Sequence, residues 1–296
     1  MSADRTGLGD GAAVELVIEP RRRPVGAGEV RRLLPFRLRR MVGPFIFADL
    51  MGPDDIAPGG GVAIDAHPHI GLSTVTYLFD GRLVHRDSTG AVQTIEPGAV
   101  NWMTAGSGVA HTERSHPDDV GVPGRLFGLQ TWVALPAEGE ETAPSFQHVG
   151  AERVPVERFG DSEVRVVVGS GWGHGSPVVA SSPLVLASID LVDGSAVPVP
   201  ADHPERAVAA VDGPVALDGH VVEPGQLVVL RRGSTPTLTG RGRAVVLGGE
   251  PVGRRHIWWN FVSSDPERIE QAKGDWAAQR FPLVPGDHDP WVPLPG

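Results

Sequence analysis

The chain of 296 residues contains no cysteine, which excludes disulfide bonds, thiolate metal sites and a cysteine nucleophile. It also has no apolar run of about 18 residues, the length that a membrane-spanning helix needs, so we expect no such helix. The first residues, MSADRTGLGDGAAVELV, lack the apolar core of a signal peptide. These absences together predict a soluble, cytoplasmic protein.

Positive charge is in the minority, because 26 Lys and Arg stand against 36 Asp and Glu, for a formal net charge of −10. This balance opposes non-specific binding to nucleic acid or to an anionic membrane, and we expect neither as a direct partner. Eight arginines between residues 21 and 40 are a local exception. They could contact phosphate, but we favour a solvated strand face whose arginine stems cover apolar surface.

Glycine and proline are abundant, with 39 and 28 residues, and they are scattered between short β-branched and aromatic runs. Such punctuation is typical of tight turns between short strands, so we predict an all-β protein. The length suits two domains. The stretch PAEGEETAPSFQHVG (136–150) is polar and acidic, and we predict that it is the linker between them.

An internal repeat supports this division. VTYLFDGRLVHRDSTGAVQTIEPGAVNWM (75–103) parallels VAAVDGPVALDGHVVEPGQLVVL (208–230), and each contains an Asp-Gly turn and then Glu-Pro-Gly before an apolar strand. Near the C-terminus, Ser264 and Glu267 have the spacing of a capping box, and an apolar stripe follows at helical spacing. We therefore predict a terminal helix from about Pro266 to Arg280.

Two pairs of polar residues carry the chemistry of the sequence. His67 and His69 lie two residues apart, as do His111 and Glu113, and residues at this spacing in a strand point to the same face. Three imidazoles and a carboxylate would bind one divalent transition metal, and nitrogen and oxygen ligands suit Fe, Mn, Co, Ni, Cu or Zn. A solvated turn is the alternative interpretation of His-Pro-His.

The second repeat serves as an internal control for the ligand hypothesis. When the repeats are aligned on Asp-Gly or on Glu-Pro-Gly, the four positions carry Val199, Ala201, Leu238 and Gly240. Residues needed for the fold alone should recur in both copies. Because these do not, we predict one metal per chain, in the first repeat.

The motifs HPHIGLSTVTYLFDG, VHRDSTG and IEPGAVNWMTAGSGVAHTE, with GGEPVGRRHIWWNFVSSDPERIEQAKGDW near the end, resemble those of the pirin family of bicupins. The resemblance implies two cupin domains, each a double-stranded β-helix or jelly-roll barrel, facing each other and followed by a C-terminal helix. It places a metal-binding cupin at 1–140 and a metal-free cupin with the helix at 141–296. It also implies that His67, His69, His111 and Glu113 are the metal ligands, with Fe(II) the metal we expect first. The chain carries Ser73 where the motif often has an acidic residue.

Pirin-like proteins of bacteria resemble quercetin 2,3-dioxygenases, which open the central ring of a flavonol with O2 and release carbon monoxide. The resemblance therefore implies a flavonol-like aromatic substrate and O2, and we predict that Glu113 acts as the catalytic base. The alternative is a non-catalytic, metal-bearing regulator that binds a transcription factor or a metabolic enzyme. A sugar or small-acid isomerase of the wider cupin group is a third hypothesis.

The other histidines are weaker candidates for ligands. We predict that His85, His116 and His256 serve the surface or packing, with His116 a candidate for a place behind the ligands. Trp258, Trp259 and Trp276 are predicted to be core residues that pack against the terminal helix.

Overall fold

A computed structural model describes residues 13–25 and 28–296, so most of the N-terminal stretch without a signal-peptide core lies outside the described residues. The described chain is mostly β, with one α-helix, α1 (Pro266–Ala277). Short 3-10 turns occupy Pro117–Asp119, Ala137–Gly139 and Ala151–Arg153. No helix in these described ranges is long and apolar enough to cross a membrane.

The strands of the first half are β1 (Val14–Ile18), β2 (Arg21–Val25), β3 (Gly28–Leu34), β4 (Phe45–Ile56), β5 (Ala63–His69), β6 (Leu72–Asp80), β7 (Leu83–Asp87), β8 (Val92–Ile95), β9 (Val100–Thr104), β10 (Val109–Ser115), β11 (Gly124–Ala134) and β12 (Ser145–Val149). Those of the second half are β13 (Val156–Phe159), β14 (Ser162–Gly171), β15 (His174–Gly175), β16 (Leu184–Leu191), β17 (Val197–Pro198), β18 (Glu205–Asp212), β19 (Val215–Leu217), β20 (His220–Val222), β21 (Leu227–Leu230), β22 (Thr237–Gly240), β23 (Gly242–Gly249), β24 (His256–Trp258) and β25 (Phe261–Ser263).

The described residues form two compact units that alternate along the chain. The histidine unit contains residues 24–25, 28–30, 51–151 and 252–296, and the apolar unit contains 13–23, 31–50 and 152–251. The terminal helix, which we expected in the C-terminal cupin, is therefore part of the histidine unit. The division of the chain into domains 1–140 and 141–296 stays a prediction.

Both units have the same strand order, which confirms the internal repeat. A four-stranded sheet runs β5-β10-β7-β8 in the histidine unit and β17-β22-β19-β20 in the apolar unit. The larger sheets contain the neighbours β12-β9-β6-β11-β4 and β1-β21-β18-β23-β16, respectively. The second series begins with the N-terminal strand β1, whereas the first begins with β12 from the predicted linker. The linker prediction is thus wrong for Ser145–Val149, because these residues pair with β9.

The core of the apolar unit consists almost entirely of valine, leucine, isoleucine and alanine. Val199 and Leu238, two of the control positions in the second repeat, are both fully buried in it. Burial of such side chains stabilises the fold through the hydrophobic effect. The interior that the first repeat uses for histidines is therefore an ordinary apolar core in the second.

Two of the arginines between residues 21 and 40 form ion pairs within the apolar unit. Arg32 makes a bidentate ion pair with Asp49, with nitrogen to oxygen distances of 2.9 and 2.8 Å, and its guanidinium lies 4.4 Å from the ring centre of Phe47. Arg39 pairs with Glu205 at 3.2 Å. These contacts favour the structural interpretation of the arginine run.

Helix α1 buries the predicted apolar stripe of Ile269, Ala272 and Trp276. Its N-cap is Asp265, whose side chain accepts a hydrogen bond from the backbone N–H of Glu267 at 2.9 Å. The prediction of Ser264 as the cap is wrong by one residue. The Ser264 hydroxyl instead donates to the buried carboxylate of Glu140 at 3.0 Å.

Candidate metal centre

The two predicted ligand pairs lie on adjacent antiparallel strands. His67 and His69 are the last residues of β5 that share a face, and His111 on β10 is paired directly with His67. A β-bulge between His111 and Glu113 shifts the register, so Glu113 lies opposite Ile64. Strand alternation and pairing together bring the three imidazoles to one point.

The ligand atoms of His67, His69 and His111 all lie within 4.8 Å of one another. The outer Nδ1–H of His67 donates to the carbonyl of Asp65 at 2.9 Å, and that of His69 donates to the carbonyl of Asn260 at 3.2 Å. Each bond fixes a tautomer in which the Nε2 lone pair is free. Such hydrogen bonds commonly orient histidine ligands of metals.

The charge state of the three imidazoles also suits a metal. All three are buried, and burial lowers the pKa of His67 to about 4 and holds the pKa values of His69 and His111 well below their usual range. They are therefore neutral at pH 7, as ligation requires. Nε2 of His69 lies 3.1 Å from Nε2 of His111, close enough for one cation to bind both nitrogens. The donor set fits a divalent transition metal.

Glu113 lies on β10, the strand of His111, but outside the group of three histidines. Its carboxylate is buried, with Oε1 3.4 Å from the hydroxyl oxygen of Thr76. Burial raises the pKa of Glu113, while the nearby His85 and the hydrogen bond from Thr76 partly oppose this rise. The histidines thus cluster as expected, whereas the ligand role of all four residues and the base role of Glu113 stay predictions.

His85 is the residue whose position the sequence interpretation missed. It is 5% exposed, its ring stacks on Phe146 with centres 4.6 Å apart, and its Nδ1 lies 3.4 Å from Nδ1 of His111. Its Nε2 lies 3.0 Å from the buried carboxylate of Asp87. Burial alone would raise the pKa of Asp87, but hydrogen bonds from His85 and Thr89 outweigh it and lower the pKa.

This arrangement forms a chain from Asp87 through His85 to His111. If Nε2 of His111 bound a metal, its Nδ1–H would donate to Nδ1 of His85, and Nε2–H of His85 would donate to Asp87. The signal available in the sequence was the spacing of His85 and Asp87 in VHRD, which places both side chains on one face of a strand. Their approach to His111 depends on the pairing of β7 with β10.

Other residues singled out in the sequence have structural contacts. His116 caps the 3-10 turn Pro117–Asp119 by accepting from the N–H of Asp118 at 3.3 Å. Ser73 is fully buried, with its hydroxyl 3.1 Å from that of Thr104. Thr74 and Thr76 lie on the face of β6 that is directed at Glu113. Ser73 lies on the opposite face, because side chains alternate along a strand.

Known proteins of one family resemble this chain over most of its length. The family model described as Pirin matches residues 27–133, and the one described as Pirin C-terminal cupin domain matches 186–282. A pirin-like protein of Caulobacter vibrioides is 46% identical over 288 residues, 95% of this chain and 99% of the relative. A Pseudomonas aeruginosa protein provisionally named a quercetin 2,3-dioxygenase is 38% identical to this chain. The match covers 85% of this chain and 80% of the length of that protein.

A solved structure shows the same architecture over nearly the whole length. The crystal structure of quercetin 2,3-dioxygenase from Acinetobacter baumannii superposes with a TM-score of 0.87 and 31% identity, covering 95% of this chain and 94% of the other. Its match, with the two family models, confirms two cupin domains and a mostly β fold. The chain belongs to the pirin family of bicupins.

Proposed function

We propose that this protein is a metal-dependent dioxygenase that opens flavonols such as quercetin with O2. The observation that carries the proposal is the buried group of three neutral imidazoles, whose ligand atoms all lie within 4.8 Å of one another. Relatives at 38% and 31% identity whose names refer to quercetin 2,3-dioxygenase support the choice of substrate. Fe(II) is the metal we propose first, with Mn, Co, Ni, Cu and Zn as alternatives.

The histidines would hold the metal, and Glu113 would complete the ligand set or stand at its edge. A bound divalent metal acts as a Lewis acid that lowers the pKa of a coordinated hydroxyl, here the 3-hydroxyl of the flavonol. His67, His69 and His111 are neutral donors, so they leave the positive charge of the metal largely uncompensated. Burial of the site keeps water away from the activated substrate.

We propose Glu113 as the base that accepts the proton of the 3-hydroxyl. Its pKa is raised by burial, which increases its proton affinity, while His85 and Thr76 favour its charged form. A base whose pKa is closer to neutrality transfers protons more efficiently at pH 7 than an exposed carboxylate does. The hydroxyl of Thr76 also restricts the orientation of the carboxylate.

The overall reaction balances without a further reductant. The two bonds to the carbon that bears the 3-hydroxyl break, and this carbon leaves with its own oxygen as carbon monoxide. The two atoms of O2 are added to the two flanking carbons. The carbon bonded to the ring oxygen becomes the carbonyl of an ester, and the former ketone carbon becomes a carboxylic acid, which takes up the proton of the 3-hydroxyl. The substrate itself thus supplies the four electrons that reduce O2.

The test combines metal analysis with an anaerobic-to-aerobic flavonol assay. Purified protein is loaded with each metal in turn, mixed with quercetin without oxygen and then exposed to O2, while quercetin absorbance and carbon monoxide are recorded. We expect one metal per chain and metal-dependent release of carbon monoxide. His111→Ala should lose most of the metal and the activity, whereas the matched control His256→Ala should retain both.

Absence of turnover with every one of these metals would refute the dioxygenase proposal. Equal loss of metal in the two variants would instead refute the assignment of the site.

A further inference from the structure

A row of polar side chains crosses the larger sheet of the histidine unit next to the metal centre. Strand register aligns four side chains on one face, in the order Gln130, Thr76, Asn101 and His148. The hydroxyl of Thr76 donates to Oε1 of Gln130 at 2.9 Å and lies 3.4 Å from Oε1 of Glu113. The row is therefore directed toward the same interior as the proposed ligands.

The apolar unit shows that this fold does not require polar residues here. The corresponding row, on strands in the same order, consists of Val246, Val208, Val228 and Val17. Three of these valines are buried in the core of that unit, and Val17 packs against it. Because burial of polar groups opposes folding unless they are hydrogen-bonded, the polar row in the histidine unit calls for a functional explanation.

Asn101 is the member of the row whose hydrogen-bonding capacity is incomplete. It is 3% exposed, and its Oδ1 lies 2.7 Å from Nδ1 of His148. Its amide nitrogen, Nδ2, is buried without a hydrogen-bond partner among the residues that the structure describes. A buried donor in this state is destabilising and gains most from an acceptor oxygen that arrives with a ligand.

The adjacent row on the same face supplies an aromatic surface. Register aligns Trp132, Thr74, Met103 and Phe146 across the same four strands. The Trp132 ring lies 5.1 Å from that of His69, and Phe146 stacks on His85. A planar aromatic ligand held at the histidines would therefore lie over a face of the sheet that offers both aromatic side chains and the polar row.

We infer that Nδ2 of Asn101 donates to an oxygen of the aromatic ligand, and that this oxygen is not one of those held at the metal centre. Asn101 lies one strand beyond Thr76, which contacts Glu113, and neighbouring strands are about 4.8 Å apart. The ligand must then carry a second oxygen substituent on a ring remote from its metal-binding atoms. This inference rests on the proposed flavonol function and makes Asn101 a determinant of specificity.

The test measures binding of two flavonols in the absence of O2 to metal-loaded protein. Quercetin carries hydroxyls on its outer rings, whereas 3-hydroxyflavone retains only the 3-hydroxyl and the adjacent carbonyl. Asn101→Val introduces the residue type of the apolar unit. Thr131→Val is the matched control, because the Thr131 hydroxyl is also buried without a partner among the described residues but points to the opposite face of β11.

We expect Asn101→Val to weaken quercetin binding roughly tenfold, as for the loss of one buried hydrogen bond, and to change 3-hydroxyflavone binding less than about twofold. Metal content should be unchanged, because Asn101 is not one of the proposed ligands. Thr131→Val should bind both flavonols like the wild type.

Unchanged quercetin binding in Asn101→Val, or equal weakening of both flavonols, would overturn the inference while leaving the proposed function intact. A metal-loaded wild type that binds neither flavonol would overturn the proposed function and this inference with it.

Discussion

Nδ1 of His85 lies 3.4 Å from Nδ1 of His111, and this contact connects the histidine group to the buried carboxylate of Asp87. The pair comes from β7 and β10, which are antiparallel neighbours. His111 is the one of the three histidines whose outer nitrogen faces a side chain, since His67 and His69 donate to backbone carbonyls. The orientation of the His111 ring therefore depends on another residue that can be substituted.

We predict that His85→Ala lowers metal affinity by roughly 10- to 100-fold, as loss of a hydrogen-bond partner behind a metal ligand typically does. Affinity is measured by competition with a chelator. The visible absorption spectrum of the cobalt-loaded protein should also change, because the His111 ring is no longer held in one orientation. His116→Ala serves as the control, and identical affinity and spectra in the two variants would contradict a positioning role for His85.

Glu113→Gln separates the ligand role of Glu113 from its base role. If Glu113 only holds the metal, saturating metal should restore flavonol turnover, since the amide oxygen can still coordinate. We predict that the turnover of Glu113→Gln stays roughly 10²-fold or more below that of the wild type even when the metal site is full, because the amide cannot accept the proton. Wild-type turnover by the metal-replete variant would remove the base role.

The buried ion pair between Glu140 and Arg255 should stabilise the attachment of the C-terminal segment within the histidine unit. Oε1 of Glu140 lies 2.7 Å from Nε of Arg255, and the same carboxylate accepts from the Ser264 N–H at 2.8 Å. We predict that Glu140→Gln lowers the free energy of unfolding by about 3 kcal/mol or more, because it leaves a buried guanidinium without its charge partner.

The neighbouring Glu141 provides the control, because it is exposed and pairs with Arg268. Glu141→Gln should change the free energy of unfolding by less than about 1 kcal/mol. Equal effects in urea denaturation would show that burial does not distinguish the two pairs.

Asp287 should make the stability of the histidine unit depend on acid pH. Its carboxylate accepts from Arg114 Nη2 at 2.8 Å and from the Thr112 hydroxyl at 2.8 Å. Burial alone would raise the pKa of Asp287, but these hydrogen bonds outweigh it and lower the pKa below its ordinary value of 3.8. The folded state thus binds this proton less readily than the unfolded state does.

The stabilisation from Asp287 is therefore complete above pH 3.8 and is lost as the pH falls through the folded-state pKa. We predict that the wild type is more stable than Asp287→Asn at pH 6 and that the difference narrows toward pH 3, measured by urea unfolding. A difference that does not vary with pH would contradict this origin of the stabilisation.

The sequence predicts those features of the structure that depend on residues close together along the chain. His67 and His69 share a face because strands alternate, and the Asp-Gly and Glu-Pro-Gly turns mark the repeat, so the histidine group and the all-β fold were accessible. The apolar stripe of α1 follows from helical spacing in the same way.

What was missed depends on pairing between distant segments. The contact of His85 with His111 requires the register of β7 on β10, and Ser145–Val149 appeared to be a linker because its pairing with β9 is not visible in its composition. The capping-box spacing predicts Ser264 as the cap. Its hydrogen bond to Glu140, more than a hundred residues earlier in the chain, cannot be recognised from the residues around it. Local patterns cannot rank such competing partners.

The most direct test of the central claim is the fate of oxygen-18 gas in the reaction of metal-loaded protein with quercetin, followed by mass spectrometry of both products. We expect two labelled oxygen atoms in the organic product, none in the carbon monoxide, and no reaction in His111→Ala. Incorporation of a single labelled atom, or unchanged quercetin with every metal that the site binds, would contradict it.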